Sequence, residues 1–233
     1  MEIKVVENVL KLNDEVAQLN RKTLAENGVA CIDLIGSPGC GKTTMLEQTL
    51  TALKSEIKVG VLTGDLATTR DAERLQPLAD QVTQINTGKS CHLDANQVRQ
   101  GMEALDLRAL DLLIIENVGN LICPVGFDLG QGAKVGMFSV TEGDDKPAKH
   151  PFVVLESDVV ILNKTDLLPY VPFELERFRT DLRAVRGNVV LIEMSSVSGE
   201  GIGPWLGWLR KFVKGESGVG AESLVASDVV GVK

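Results

Sequence analysis

A chain of 233 residues, 44% of them hydrophobic, is long enough for one α/β domain with a substantial core and too short for two full ones. Its net charge of −8 argues against a nucleic-acid or anionic-membrane partner, which an electropositive surface would meet, so any polyanion must be held locally by a loop and a metal ion. Glu2, Lys4 and Glu7 break up the N-terminal apolar residues and no later window reaches the length of a membrane span, so the expectation is a cytoplasmic protein.

Val5, Val9, Leu12, Val16 and Leu19 recur at helical spacing and Gly28 is placed to end the run. This predicts a leading helix within residues 1–28 that packs on the domain through that stripe. Val29–Ile35 then reads as a buried strand and Thr44–Leu50 as a helix. Between them Gly36, Ser37, Pro38, Gly39, Cys40, Gly41, Lys42 and Thr43 match G-x-x-x-x-G-K-T, a phosphate-binding loop in its proper strand-to-helix context. Backbone amides of the loop and of the helix start at Thr44 would hold the anion. Lys42 would reach the β- and γ-phosphates, and the Thr43 hydroxyl would ligate Mg²⁺.

Further apolar runs at Ile57–Leu62, Val82–Ile85, Leu112–Ile115, Val135–Val140, Val159–Leu162 and Val189–Ile192 alternate with mostly helical segments. The fold class is therefore α/β, a doubly wound, mostly parallel sheet over residues 29–214 with the leading helix outside the repeat. Sites in such sheets lie at the carboxyl ends of the strands, where the remaining motifs fall. Asp65 ends the second run, an acidic candidate near metal and attacking water. Glu116-Asn117-Val118-Gly119 occupies the position of a D-x-x-G switch with glutamate replacing aspartate. Glu116 would hold Mg²⁺ through water and the Gly119 amide would sense the γ-phosphate, so that the loop relaxes on hydrolysis. Lys42, Asp65 and Glu116 form the expected catalytic set, and Thr43, Asp65 and Glu116 the expected Mg²⁺ set.

Asn163-Lys164-Thr165-Asp166 follows the sixth run and is an N-K-x-D guanine signature. The Asp166 carboxylate can accept from guanine N1–H and the 2-amino group, whereas adenine would leave it unpaired. Asn163 would brace neighbouring loops while the Lys164 stem covers the base. Ser195, Ser196 and Val197, after the last run, resemble the loop whose backbone amide contacts guanine O6. The tail, residues 215–233, mixes Gly, Ser, Ala and Val and is expected to be flexible.

Cys31, Cys40, Cys91 and Cys123 show no framework spacing and read as buried thiols or metal ligands rather than disulfides. One of the two histidines, His92, abuts Cys91. Adjacent side chains in an extended loop usually diverge, so Cys91-His92 alone stays open between a thiol beside a surface imidazole and half a chelate. Thiolate and imidazole suit Zn²⁺ or Ni²⁺, and two chains paired across a symmetry axis would double the ligand count.

Taken in order, the phosphate loop, Asp65, Cys91-His92, Glu-Asn-Val-Gly-Asn-Leu-Ile-Cys-Pro from Glu116, Thr-Glu-Gly-Asp-Asp-Lys-Pro from Thr141 and Asn163–Asp166 resemble the HypB family, GTPases of nickel insertion into nickel–iron hydrogenase, over about residues 5–213. The resemblance implies a homodimer that uses GTP, GDP and Mg²⁺, with Cys91, His92 and Cys123 matching a nickel- or zinc-binding site at the dimer interface. It also implies two partners, a HypA-like nickel/zinc protein and a hydrogenase large-subunit precursor. The Cys-x-x-Cys-Gly-Cys N-terminus and His-rich stretch of some relatives do not occur in this sequence, leaving the interface site alone. Lys146 stays open between a residue that reaches the nucleotide across the dimer and an exposed loop lysine. With no glutamine or arginine obviously positioned for catalysis, turnover is expected to be slow, about 10⁻⁴ to 10⁻² s⁻¹ as in unassisted GTPases. Competing readings are an accessory GTPase for urease or a corrinoid enzyme, a small-molecule kinase, and a nickel buffer; Asn163–Asp166 disfavours the kinase.

Overall fold

Residues 9–66 and 68–216 are described by a computed structural model of the chain. The apolar runs become β1 (Ala30–Gly36), β2 (Val59–Asp65), β3 (Gln81–Asn86), β4 (Leu112–Glu116), β5 (Ala133–Ser139), β6 (Val159–Asn163) and β7 (Val190–Glu193). They form one sheet in the order β3-β2-β4-β1-β5-β6-β7, every neighbouring pair parallel. Strands buried on both faces need no polar alternation, which is why β1, β4, β5 and β6 read as continuous apolar runs.

The helices are α1 (Val9–Asn27), α2 (Lys42–Leu53), α3 (Arg70–Leu75), α4 (Ala95–Glu103), α5 (Lys146–Lys149), α6 (Pro151–Glu156), α7 (Leu175–Val185) and α8 (Ile202–Val213). On one face, Ile32 and Leu34 of β1 pack with Leu46 and Leu50 of α2 and Trp205 of α8. On the other, α1 and α4 cover one half of the sheet through Leu24, Val98 and Met102, and α6 and α7 the other half through Val153, Val154 and Phe178. The crossover from β4 to β5 differs from the rest: it carries only a 3-10 turn, Cys123–Gly126, and no α-helix.

The leading helix forms as expected and stops at Gly28, whose φ of +69° favours glycine. Its buried face differs from the expected stripe. Leu12 and Leu19 are 69% and 48% exposed, whereas Ala17, Asn20 and Leu24 are buried. The reason is the surface underneath, the irregular β4–β5 crossover, which presents backbone carbonyls. Asn13 Nδ2 donates to Asp128 O at 2.8 Å, and Asn20 Nδ2 to Leu129 O at 3.0 Å and Ala95 O at 2.8 Å. A Cβ on Gly130 would lie 2.6 Å from Asn20 Cβ, so the contact is close. Amides serve there where leucines could not. Val5 and the tail from residue 217 lie outside the described residues.

Candidate functional site

The phosphate loop turns at Gly39 (φ +74°) and Gly41 (φ +104°), leaving its backbone free to face an anion. A Cβ at Gly41 would collide with Asn163 Nδ2. Lys42 Nζ donates to Gly36 O at 3.1 Å and Ser37 O at 3.3 Å, so the ammonium folds back across the loop mouth. The cavity above has a volume of about 590 Å³, within the range that holds a small ligand, and its lining includes Lys42, Thr43, Asp65, Arg74, Glu116 and Gly119.

Thr43 Oγ1 donates to Glu116 Oε1 at 2.7 Å, joining the start of α2 to the end of β4. Glu116 Oε2 is buried with no hydrogen-bond partner. Burial pushes the Glu116 carboxyl up to about 7, against the pull of the Thr43 hydrogen bond and the Lys42 charge. A buried acceptor without a donor costs roughly 1–3 kcal/mol, so the residues present fit a hard cation, which would take a hydroxyl and carboxylate oxygens. Asp65, at the end of β2, accepts from Thr68 Oγ1 at 2.8 Å.

At the base end, Asn163 is buried and makes three hydrogen bonds through its amide. Its Nδ2 donates to Cys40 O at 2.8 Å, and its Oδ1 accepts from Ser196 N at 2.9 Å and Ser196 Oγ at 2.8 Å. Lys164, with φ +63°, is the one non-glycine residue at positive φ among those described, and its Nζ donates to Gly39 O at 2.6 Å. A side chain in that region costs roughly 1–2 kcal/mol, which the bond across to the phosphate loop helps to offset. Asp166 Oδ1 is buried without a partner, an acceptor awaiting a donor. Ser195 Oγ accepts from Val197 N at 3.3 Å and Ser198 N at 3.1 Å, which shapes the serine-rich loop.

Cys91, His92 and Cys123 converge. Their ligand atoms lie within 4.8 Å of one another in a single chain, and no other such metal-sized group occurs among the described residues. The expected divergence of adjacent side chains fails here, with Cys91 Sγ 3.7 Å from His92 Nδ1. His92 packs against Phe127 with ring centroids 4.0 Å apart and the planes tilted by 37°, which turns the imidazole toward the thiols. Burial lowers the His92 pKa, favouring the neutral ring a metal needs, and the hydrogen bond shared with Cys123 raises that of Cys91. All four cysteines are free.

Several participants escaped the sequence reading. Arg74, on α3, lines the cavity, donates to Thr44 Oγ1 at 3.1 Å and pairs with Glu47 at 2.6 Å. Asp33, in the middle of β1, is fully buried and accepts from Asn117 Nδ2 at 3.0 Å. Lys134 Nζ lies 3.7 Å from Asp33 Oδ2 and donates to the carbonyls of Pro124, Val125 and Phe127 at 3.3, 2.8 and 3.0 Å, closing the turn that carries Cys123. Glu142 Oε2 accepts from Ser37 Oγ at 3.0 Å, bringing the Thr141–Pro147 segment onto the phosphate loop. Lys146 starts α5 near Glu142, whose carboxyl it pulls down against burial; the ammonium is not part of the cavity wall.

Residues 30–193 match the family described as CobW/HypB/UreG, nucleotide-binding domain. The hydrogenase maturation factor HypB of Escherichia coli K12 is 42% identical over 208 residues, covering 89% of this chain and 72% of that protein. A crystal structure of hydrogenase maturation factor HypB from Archaeoglobus fulgidus superposes with a TM-score of 0.82 at 38% identity, covering 88% of this chain and 100% of that one. A crystal structure of HypB from Helicobacter pylori in complex with nickel gives a TM-score of 0.84 at 33% identity, with 93% and 100% coverage.

Proposed function

Because the chain belongs to the HypB family of CobW/HypB/UreG nucleotide-binding proteins, we propose that it is a GTPase that carries nickel as cargo during hydrogenase maturation and uses its nucleotide state to gate the metal. One observation carries this reading. The Cys91, His92 and Cys123 ligand atoms lie within 4.8 Å of one another, and Cys123 stands four residues after Gly119, the end of the segment Glu116–Gly119 that lines the phosphate cavity.

Lys42 and the amides of residues 39–44 bind the phosphates. Asp166 reads the guanine edge, and Asn163 keeps the base loop and phosphate loop at fixed separation. Ser195–Val197 supply the amide for guanine O6. Thr43 and Glu116, with Asp65, would hold Mg²⁺, which when bound supplies charge neutralisation for the transferring phosphoryl group. Asp65 and Glu116 orient the attacking water from the carboxyl ends of β2 and β4. The two thiols and one imidazole of each chain fall short of a four-ligand shell, so a second copy completes it across a two-fold axis, and zinc competes for the same donors. Residues 29–214 act as the GTPase domain, with α1 packed on it. Delivery of the metal then needs a HypA-like partner and the hydrogenase large-subunit precursor. Among the described residues no helix is long and apolar enough to cross a membrane.

The test is nickel affinity and oligomeric mass with GDP and with a non-hydrolysable GTP analogue, beside a Cys91→Ala, Cys123→Ala double variant. Nucleotide-dependent nickel binding that the variant loses is the expected result. Guanine-nucleotide binding with no thiol-dependent metal site would remove nickel from the assignment and leave a GTPase.

A further inference from the structure

We propose that Asn120 is the positioning residue that transmits the nucleotide state to the metal triad, an inference that rests on the GTP-gated reading above. Asn120 touches three segments at once. Its backbone N–H donates to Gly36 O at 2.9 Å, an isolated antiparallel bridge that ties it to the start of the phosphate loop. Its side-chain Nδ2 donates to Cys91 O at 3.3 Å. Its Oδ1 accepts from Ile122 N at 2.8 Å and Cys123 N at 3.5 Å. Both cysteine-bearing segments therefore hang from one amide group.

Asn117, three residues earlier, supplies the fixed point. It is buried, bonded to Asp33 in the middle of the sheet, and its Oδ1 accepts from Leu93 N at 3.1 Å. The carbonyl before His92, that of Cys91, and the amide after it, that of Leu93, are thus gripped by two asparagines on either side of Gly119. Gly119 lies against the phosphate loop: a Cβ there would be 3.0 Å from Pro38 Cα. Movement of Gly119 toward a γ-phosphate carries Asn120 with it, pulling on the Cys91 carbonyl and the Cys123 amide together. Asn117 meanwhile holds Leu93, and Lys134 holds the carbonyls that follow Cys123. The two thiols turn relative to the imidazole, and the shell that suits the ion in one nucleotide state is lost in the other.

The experiment measures nickel affinity of the full chain in the GDP and GTP-analogue states, and the affinity for the GTP analogue relative to GDP with and without nickel, for the wild type and Asn120→Ala. Linkage requires the two ratios to agree, and couplings of this kind are about 5- to 150-fold. In Asn120→Ala both ratios are expected to fall to within about twofold of unity. Its nucleotide affinity without nickel should stay near the wild-type value, because the bond to Gly36 is made by the backbone. Amide exchange across residues 91–93, which should respond to the nucleotide in the wild type, should cease to respond in the variant. A wild type that couples beside an Asn120→Ala that couples equally overturns this inference alone. Loss of nickel binding by the variant in both states also overturns it, making Asn120 a support of the site. A wild type with equal nickel affinity in both states overturns it together with the reading on which it rests.

Discussion

Two asparagines fasten the phosphate loop at its opposite ends, and they do it differently. Asn163 is 1% exposed and bonds through both ends of its amide to Cys40 O and Ser196, so the base side is locked inside the protein. Asn120 is half-buried, reaches Gly36 through its backbone and uses its side chain on the two cysteine-bearing segments. A recognition surface gains from rigidity, since a fixed acceptor rejects the wrong base, whereas a gate needs an element with more than one arrangement. The same residue type serves both because burial decides whether its bonds can exchange.

The base side is where substitution should do most. Asp166→Ala is expected to lower the preference for GTP over ATP by roughly 10³- to 10⁴-fold, because the acceptor for the two guanine donors is gone while the phosphate contacts persist. Competition binding of the two nucleotides reads this directly, and an unchanged ratio would place base selection elsewhere. Asn163→Ala should come next, at about 2–4 kcal/mol of stability, since three buried bonds vanish and Cys40 O and Ser196 N lose their partner. Asn120→Ala should cost under about 1 kcal/mol when both variants are titrated with urea, because water can reach the groups it frees. Equal costs at the two asparagines would erase the contrast between a locked end and an adjustable one.

On the metal side the expected loss is one of affinity and not of fold. Cys123→Ala should weaken nickel binding by about 100-fold, as the loss of a ligand must at least match the 10- to 100-fold typical of outer partners, and leave GTP affinity within about threefold. A calorimetric titration with each ligand separates the two. If GTP affinity falls as far as nickel affinity, Cys123 is part of the nucleotide site's support and the two regions are not distinct.

The sequence carried the nucleotide motifs because their residues are contiguous; Gly36–Thr43 and Asn163–Asp166 stand where the expected strand ends put them. The metal triad was legible only as residue types, since nothing local says that Cys91 and His92 converge or that Phe127 turns the ring. Asn120 left no signal, because its partners are carbonyls and amides of distant residues, and any residue has those. Arg74 was hidden by the turn of α3, which brings it back over Thr44. The α1 face was misread for the converse reason: a hydrophobic stripe assumes an apolar surface beneath, and here the helix meets exposed backbone.

Asp33 fell inside an apolar run and Lys134 just before one, yet together they anchor Asn117 and the Cys123 turn to the sheet. Burial pushes the Asp33 carboxyl up to about 6, with Lys134 and the Asn117 amide pulling it down. A folded-state pKa above the unfolded 3.8 means that the native state binds the extra proton, so this group's contribution is fully present below about pH 4 and is lost as pH rises through about 6. Asp33→Asn removes the titration and keeps an amide-sized acceptor for Asn117 and Lys134. The stability of wild type relative to Asp33→Asn is therefore expected to fall by on the order of 1–3 kcal/mol between pH 4 and pH 7, the smallest effect relative to its scatter and the one that needs matched urea curves at both pH values. A difference that grows in the wild type's favour over that range would mean that pairing with Lys134 outweighs burial. The Cys123 turn would then be anchored by a full ion pair that strengthens toward neutral pH, and the metal side would be as firmly fixed to the sheet as the base side is.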